Sequence, residues 1–192
     1  MATRRSRPAA LLLAPGAGAD RTSPTLVALD EGVDLPVRRM DFPYRKEGRK
    51  APDRAPKLIA AVVEEAKAFV AEQGVAPGRL VLGGRSMGGR MCSMAVAEGL
   101  PAAGLVLLSY PLHPPGKPEA LRVEHLPQLD LPVLFLAGTR DPFGSPEEVE
   151  AHAAAIPGPV TFHWLQPPNA GHSPKGKDPE IVEVTRDWLA DL

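Results

Sequence analysis

Short apolar runs alternate with helical patterns along the whole chain, and this alternation predicts a mostly parallel sheet covered by helices on both faces. Residues 9–14 read as a buried strand, followed by the loop Pro15-Gly16-Ala17-Gly18-Ala19-Asp20. A short helix starts at Ser23-Pro24 and stops near Gly32. Residues 37–42 form a second strand, and a polar, proline-punctuated loop continues to about residue 55. Leu58, Ile59, Val62, Val63, Ala66, Phe69 and Val70 make a stripe of helical period closed by Gly74, the clearest helix in the sequence. Residues 79–83 are the next strand, and Met87, Met91, Met94 and Ala95 share one face of the helix that follows, terminated at Gly99 with Pro101 beyond. Residues 104–109 and 132–137 are two more strands. Ser145-Pro146-Glu147-Glu148 is a capping box with proline at the first helical position, predicting a helix to about residue 156. Residues 160–165 form the last strand, and Asp178-Pro179 opens a final helix with Ile181, Val184 and Trp188 on one face.

The expected fold class is therefore α/β, one domain over residues 1–192, with about six strands. Proline, at 23 residues, exceeds twice the average share of ~5% and clusters in loops, chiefly 111–132 and 157–179. The 111–132 connection is read as a rigid crossover rather than a flap, since its length suffices for one short helical turn and no cap domain.

Composition narrows the partners. A chain of 192 residues, 44% hydrophobic, can bury one sizeable core. Its net charge of −1, with acids and bases interspersed, suggests neither a nucleic-acid footprint nor a membrane-binding face. A small molecule is the expected partner. No apolar run approaches the ~18 residues of a membrane span. Cys92, the only cysteine, excludes an internal disulfide and fits a reducing compartment such as the cytoplasm. The first 19 residues have the basic start and apolar run of a signal peptide. That run falls short of the ~7–15 residues such a peptide uses, Pro15-Gly16 ends it, and cleavage near Ala19 would remove a strand and a glycine loop.

The densest chemistry lies at Gly83-Gly84-Arg85-Ser86-Met87-Gly88-Gly89-Arg90, where a strand pattern runs in and a helix pattern runs out. Gly84-Arg85-Ser86-Met87-Gly88 is a GxSxG turn, in which a serine at the apex of a tight strand-to-helix turn requires nearly side-chain-free neighbours. Serine is a poor nucleophile at neutral pH and needs a histidine that a carboxylate orients. Ser86, Asp141 and His172 follow the order serine, acid, histidine, each just past a strand. His152 and His163 fall inside a helix and a strand pattern, and His125 precedes a strand, so all three read as structural. His113 follows the 104–109 strand and is a candidate to line the pocket, although it precedes the acid. An oxyanion needs two backbone N–H donors. Met87, after the serine, is one, and Ala17 in the first glycine loop is the other. That loop lacks GxGxxG spacing and a P-loop lysine, which argues against a phosphate cradle. Arg85 and Arg90 flank the serine and are either carboxylate-binding groups for a substrate or structural ion-pair partners. Cys92 reads as core. No Cys/His/carboxylate cluster has metal-ligand spacing, and no cofactor is expected.

The runs Leu-Leu-Leu-Ala-Pro-Gly-Ala-Gly, Gly-Gly-Arg-Ser-Met-Gly-Gly-Arg, Tyr-Pro-Leu-His-Pro-Pro-Gly-Lys-Pro and Gly-Thr-Arg-Asp-Pro-Phe-Gly, with Gly-His-Ser near the end, resemble the small, lidless α/β-hydrolases akin to dienelactone hydrolase. Within them the resemblance is to the group related to testis-expressed protein 30 and the hydrolase-like domain of a non-specific-lethal histone acetyltransferase complex subunit. It covers nearly the whole chain and implies an α/β-hydrolase fold with Ser86, Asp141 and His172 as a triad. Two departures stand out. Members usually carry histidine before the oxyanion glycine, where this chain has Pro15, and dienelactone hydrolase itself uses a cysteine nucleophile. The expected activity is hydrolysis of a carboxylic ester or related acyl compound through an acyl-enzyme on Ser86. The alternative is a non-catalytic interaction module on the same fold, since relatives also serve protein assembly.

Overall fold

The structure, a computed structural model, describes residues 7–192. Arg4 and Arg5, at the start of the signal-like segment, lie outside the described residues. Six strands, β1 (Ala10–Ala14), β2 (Val37–Arg39), β3 (Leu80–Arg85), β4 (Gly104–Leu108), β5 (Val133–Gly138) and β6 (Val160–Leu165), form one sheet in the order β2-β1-β3-β4-β5-β6, every neighbouring pair parallel. All five residues of β1 and all five of β4 are buried, which explains why these strands appear in the sequence as unbroken apolar runs rather than alternating ones.

Register sorts the strand side chains onto two cores. Leu12, Leu82, Leu105 and Val133 lie side by side and face α3 (Ala55–Gln73), α4 (Met87–Ala97) and α5 (Pro146–Ala153). Leu13, Val106 and Leu134 point the other way, onto α1 (Pro24–Gly32) and α6 (Asp178–Ala190), whose Leu26, Leu29, Ile181 and Trp188 complete the second core. The stripe predicted from Leu58 to Val70 is the buried face of α3, which stops at Gly74 in the left-handed conformation (φ 63°) that glycine adopts without a Cβ penalty. The capping box closes as expected, with Ser145 Oγ accepting from the Glu148 N–H and the Glu148 carboxylate accepting from the Ser145 N–H at 2.8 Å.

Two boundaries differ from expectation. The second strand ends at Arg39, and Phe42 instead precedes a four-residue helix, α2 (Pro43–Lys46), within the stretch expected to be loop. Pro43 has no N–H to give a sheet and its fixed φ suits a helical first turn. Phe42 and Tyr44 are then fully buried, stacked with ring centroids 6.3 Å apart. Helix α5 also stops at Ala153, three residues early. The helical structure of the 111–132 crossover is limited to a 3-10 turn at Leu126–Gln128.

The chain runs outward from β1 to β2, then returns to the other side of β1 to lay down β3 and the remaining strands. That reversal opens a crevice at the carboxyl ends of β1 and β3, where ligands of such sheets bind. Ser86 and the loop after β1 both face it.

Candidate active site

Ser86 sits between β3 and α4 at φ 50°, ψ −117°, a conformation that costs a non-glycine residue roughly 1–3 kcal/mol. Its N–H donates to the Leu108 carbonyl at 2.8 Å, fastening the apex to the neighbouring strand. The flanking glycines are required by the loop after β1. A Cβ at Gly84 would lie 2.5 Å from the Ala14 carbonyl oxygen, and one at Gly88 would press against the carbonyls of both Ala14 and Pro15. These contacts hold the β1 loop against the serine turn, so that even a Cβ at Gly16 would be 3.7 Å from the Ser86 Cβ.

The structure brings the three residues expected to act together into a hydrogen-bonded line. His172 Nε2 lies 2.8 Å from Ser86 Oγ, and its Nδ1 lies 2.8 Å and 3.0 Å from the two Asp141 carboxylate oxygens. A carboxylate can only accept, so Nδ1 carries the proton and donates to it, which leaves Nε2 free to accept from the Ser86 hydroxyl. Asp141 is almost wholly buried, and its Oδ1 also accepts from the Phe143 N–H at 2.9 Å. The histidine loop is docked tightly on the acid loop. Arg140 N–H donates to the Ala170 carbonyl at 2.8 Å, and the absence of a side chain at Gly138 is what admits that carbonyl. The Phe143 ring stacks on the imidazole at 4.0 Å between centroids. Behind the ring, Arg85 Nη2 donates to the His172 carbonyl at 2.7 Å and to Ser173 Oγ. Burial pulls Arg85 below its ordinary pKa, while Asp141 and Asp178 oppose that pull.

A cleft of about 440 Å³ opens over Ser86 and His172. Ala17 and Met87 line it, and among the described residues neither N–H has a protein acceptor. Arg85 and Arg90 line it too, and among the described residues neither forms an ion pair, Arg85 being tied instead to the His172 loop. Arg122, which no local sequence pattern marks, is a further lining residue. The crossover folds back over the end of β4, with Tyr110 donating its hydroxyl to the Arg122 carbonyl at 2.7 Å and Arg122 N–H donating to the Leu112 carbonyl at 2.9 Å.

His113 does not join the cleft. It is buried beside it, its N–H donating to the Phe143 carbonyl at 3.1 Å, its Nδ1 2.9 Å from the Pro114 carbonyl and its Nε2 3.6 Å from Glu148. The loop after β4 turns inward immediately and carries the ring into the core. His125 contacts Ser93 Oγ at 2.8 Å, and His163 contacts Glu180 at 2.9 Å, both away from the triad. Burial pushes the Cys92 thiol up to about 12, so it stays protonated and inert, directed at the Gly83 carbonyl. No helix among the described residues is long and apolar enough to cross a membrane.

A family model described as an alpha/beta hydrolase domain matches residues 7–186. Among solved structures, the chain is similar to dienelactone hydrolase from Anabaena variabilis, at 16% identity and a TM-score of 0.77, covering 96% of this chain and 87% of that one. It is also similar to a thermophilic esterase from Thermogutta terrifontis, at 24% identity and a TM-score of 0.72, covering 96% and 90%. A metagenome-derived lipolytic enzyme aligns at 16% identity and a TM-score of 0.75, covering 97% and 95%.

Proposed function

The chain belongs to the alpha/beta hydrolase family, and on that footing we propose that it is a serine hydrolase that cleaves a carboxylic ester or related acyl compound. The observation that carries this reading is the continuous hydrogen-bonded line from Ser86 through His172 to Asp141. Ser86 Oγ attacks the substrate carbonyl while His172 Nε2 takes the hydroxyl proton, and Asp141 holds the ring in the tautomer that can do so. The oxyanion of the tetrahedral intermediate accepts from the N–H groups of Met87 and Ala17. Met87 opens α4, so the helix dipole adds to its donor strength. On collapse, the bond from carbonyl carbon to leaving oxygen breaks and His172 returns the proton to that oxygen. Water, deprotonated by the same nitrogen, then attacks the acyl-enzyme and releases the acid with Ser86 restored.

Every role in this sequence is filled by a side chain or a backbone N–H, so no cofactor is called for. The esterases and dienelactone hydrolase of similar fold support this class of reaction. The Pro15 that precedes Gly16 removes a side-chain donor but leaves the Ala17 N–H available. The sequence motifs also support kinship with the group related to testis-expressed protein 30, and the single cysteine, a buried thiol, supports a cytoplasmic location. Hydrolysis of p-nitrophenyl butyrate tests the reading: the wild-type chain is expected to turn it over and Ser86→Ala, folded to the same melting temperature, is not. Equal rates in the two proteins would overturn it, and a folded wild-type chain inert to such esters would favour an interaction module instead.

A further inference from the structure

Elsewhere in this molecule three half-buried arginines are paired with carboxylates, while Arg79 donates its Nε to the Arg7 carbonyl at 2.9 Å. Arg38 meets Glu65 and Glu72, Arg39 meets Asp30 at 2.8 Å, and Arg45 meets Asp20 at 3.1 Å. The cleft breaks that pattern. Three arginines line it and no carboxylate does, and among the described residues none of the three forms an ion pair. Arg85 is at least tied to the His172 loop. Arg90 and Arg122 are not tied to anything comparable. The Arg90 Nε is buried without a hydrogen-bond partner, and the Arg122 guanidinium makes one long contact, 3.4 Å to the Pro111 carbonyl.

Two cations facing one cleft without a counter-ion oppose each other. Burial and then the Arg90 charge pull Arg122 below its ordinary value, and the same two causes push His125 down to about 4. Buried cations are ordinarily paired, and a planar guanidinium fork matches the two oxygens of a carboxylate.

Helix geometry aims Arg90 at the nucleophile. Ser86 is the N-cap of α4 and Arg90 N–H donates to the Ser86 carbonyl at 3.1 Å, one turn on. Side chains on a helix lean toward its N-terminus, so the guanidinium leans back toward Ser86. One turn is about 5.4 Å, which places an anion on Arg90 a few bonds from a carbonyl at Ser86.

Resting on the serine-hydrolase reading, we propose that the cleft takes an ester whose acyl chain ends in a carboxylate, held between Arg90 and Arg122 while the ester carbonyl meets Ser86. The pair is a specificity site, and the substrate class is the half-ester of a short dicarboxylic acid.

The test compares mono-p-nitrophenyl adipate with p-nitrophenyl hexanoate, which has the same six-carbon acyl chain without the charge. The wild-type enzyme is expected to favour the adipate in kcat/KM by about 10- to 100-fold, and Arg90→Gln and Arg122→Gln are each expected to bring that ratio close to 1. A wild-type ratio near 1, or a preference that survives in both variants, would overturn the proposal. Binding of monomethyl adipate to Ser86→Ala, measured by calorimetry, separates this proposal from the hydrolase reading because it needs no turnover. Heat of binding that disappears on adding Arg122→Gln supports the site, and none at millimolar ligand overturns it. Inorganic phosphate forms the last arm: tighter inhibition by phosphate than by monomethyl adipate would overturn the carboxylate assignment in favour of a phosphorylated substrate.

Discussion

The two sides of the cleft treat their polar groups in opposite ways. On the side built by β3, β5 and the loop after β6, every polar side-chain atom of Ser86, His172 and Asp141 is answered by a neighbour within 3.0 Å, and the backbone behind them is fastened by Arg85 and Ala170. On the side built by α4 and the β4–β5 crossover, Arg90 and Arg122 stand almost unanswered. A satisfied buried network is rigid and ready before substrate arrives, whereas half-buried cations without a counter-ion are costly until something binds them. The contrast separates preorganised chemistry from a recognition surface completed by its ligand.

The contrast breaks most severely where the satisfied side is cut. Ser86→Ala is expected to lower kcat on a neutral ester by about 10⁴-fold or more, and Asp141→Asn by roughly 10³- to 10⁴-fold through the wrong histidine tautomer. Steady-state kinetics on p-nitrophenyl butyrate checks both, and retention of more than a tenth of the wild-type rate in either would remove the triad from the mechanism. Gly88→Ala strikes the turn itself, because its Cβ would meet the carbonyls of Ala14 and Pro15. A loss of about 3 kcal/mol or more in stability is expected, read by urea denaturation.

Smaller effects sharpen the unsatisfied side. Folding holds the His125 pKa near 4, against about 6.5 in the unfolded chain. Between those values the unfolded chain takes up a proton that the folded one refuses, so stability falls as pH drops from about 6.5 toward 4. The loss is about 1–2 kcal/mol after solvent screening, and Arg90→Gln is expected to shallow it, since Arg90 contributes to the depression. Denaturation curves at pH 7 and pH 4.5 in the two proteins measure both slopes. The smallest expected effect is that of Arg85→Gln, a drop of about tenfold in kcat with little change in melting temperature, because the histidine loop loses one strut and keeps the Ala170 and Phe143 contacts.

The satisfied side was also the legible one. Its strands are buried on both faces and therefore appear as continuous apolar runs, and the serine turn leaves no room for a Cβ at 84 or 88, so the pair of glycines marks it in the sequence. Asp141 and His172 could be placed because each immediately follows a strand whose end is fixed by the sheet. Arg122 could not. It lies in a proline-rich crossover with no period, and its position depends on the Tyr110 hydroxyl and the Leu112 carbonyl catching it from a distance in space. His113 misled for the same reason, since nothing near it in sequence shows that its N–H is held by Phe143. Helix α2 escaped detection because four residues carry no periodicity, and only the burial of Phe42 and Tyr44 reveals it.

The central claim is that Ser86 is an activated nucleophile, and labelling with a fluorophosphonate probe followed by identification of the modified peptide tests it most directly. One adduct is expected, on Ser86, absent from Ser86→Ala and strongly reduced in Asp141→Asn. A folded wild-type chain that takes no label, or takes it on another residue, would refute the claim.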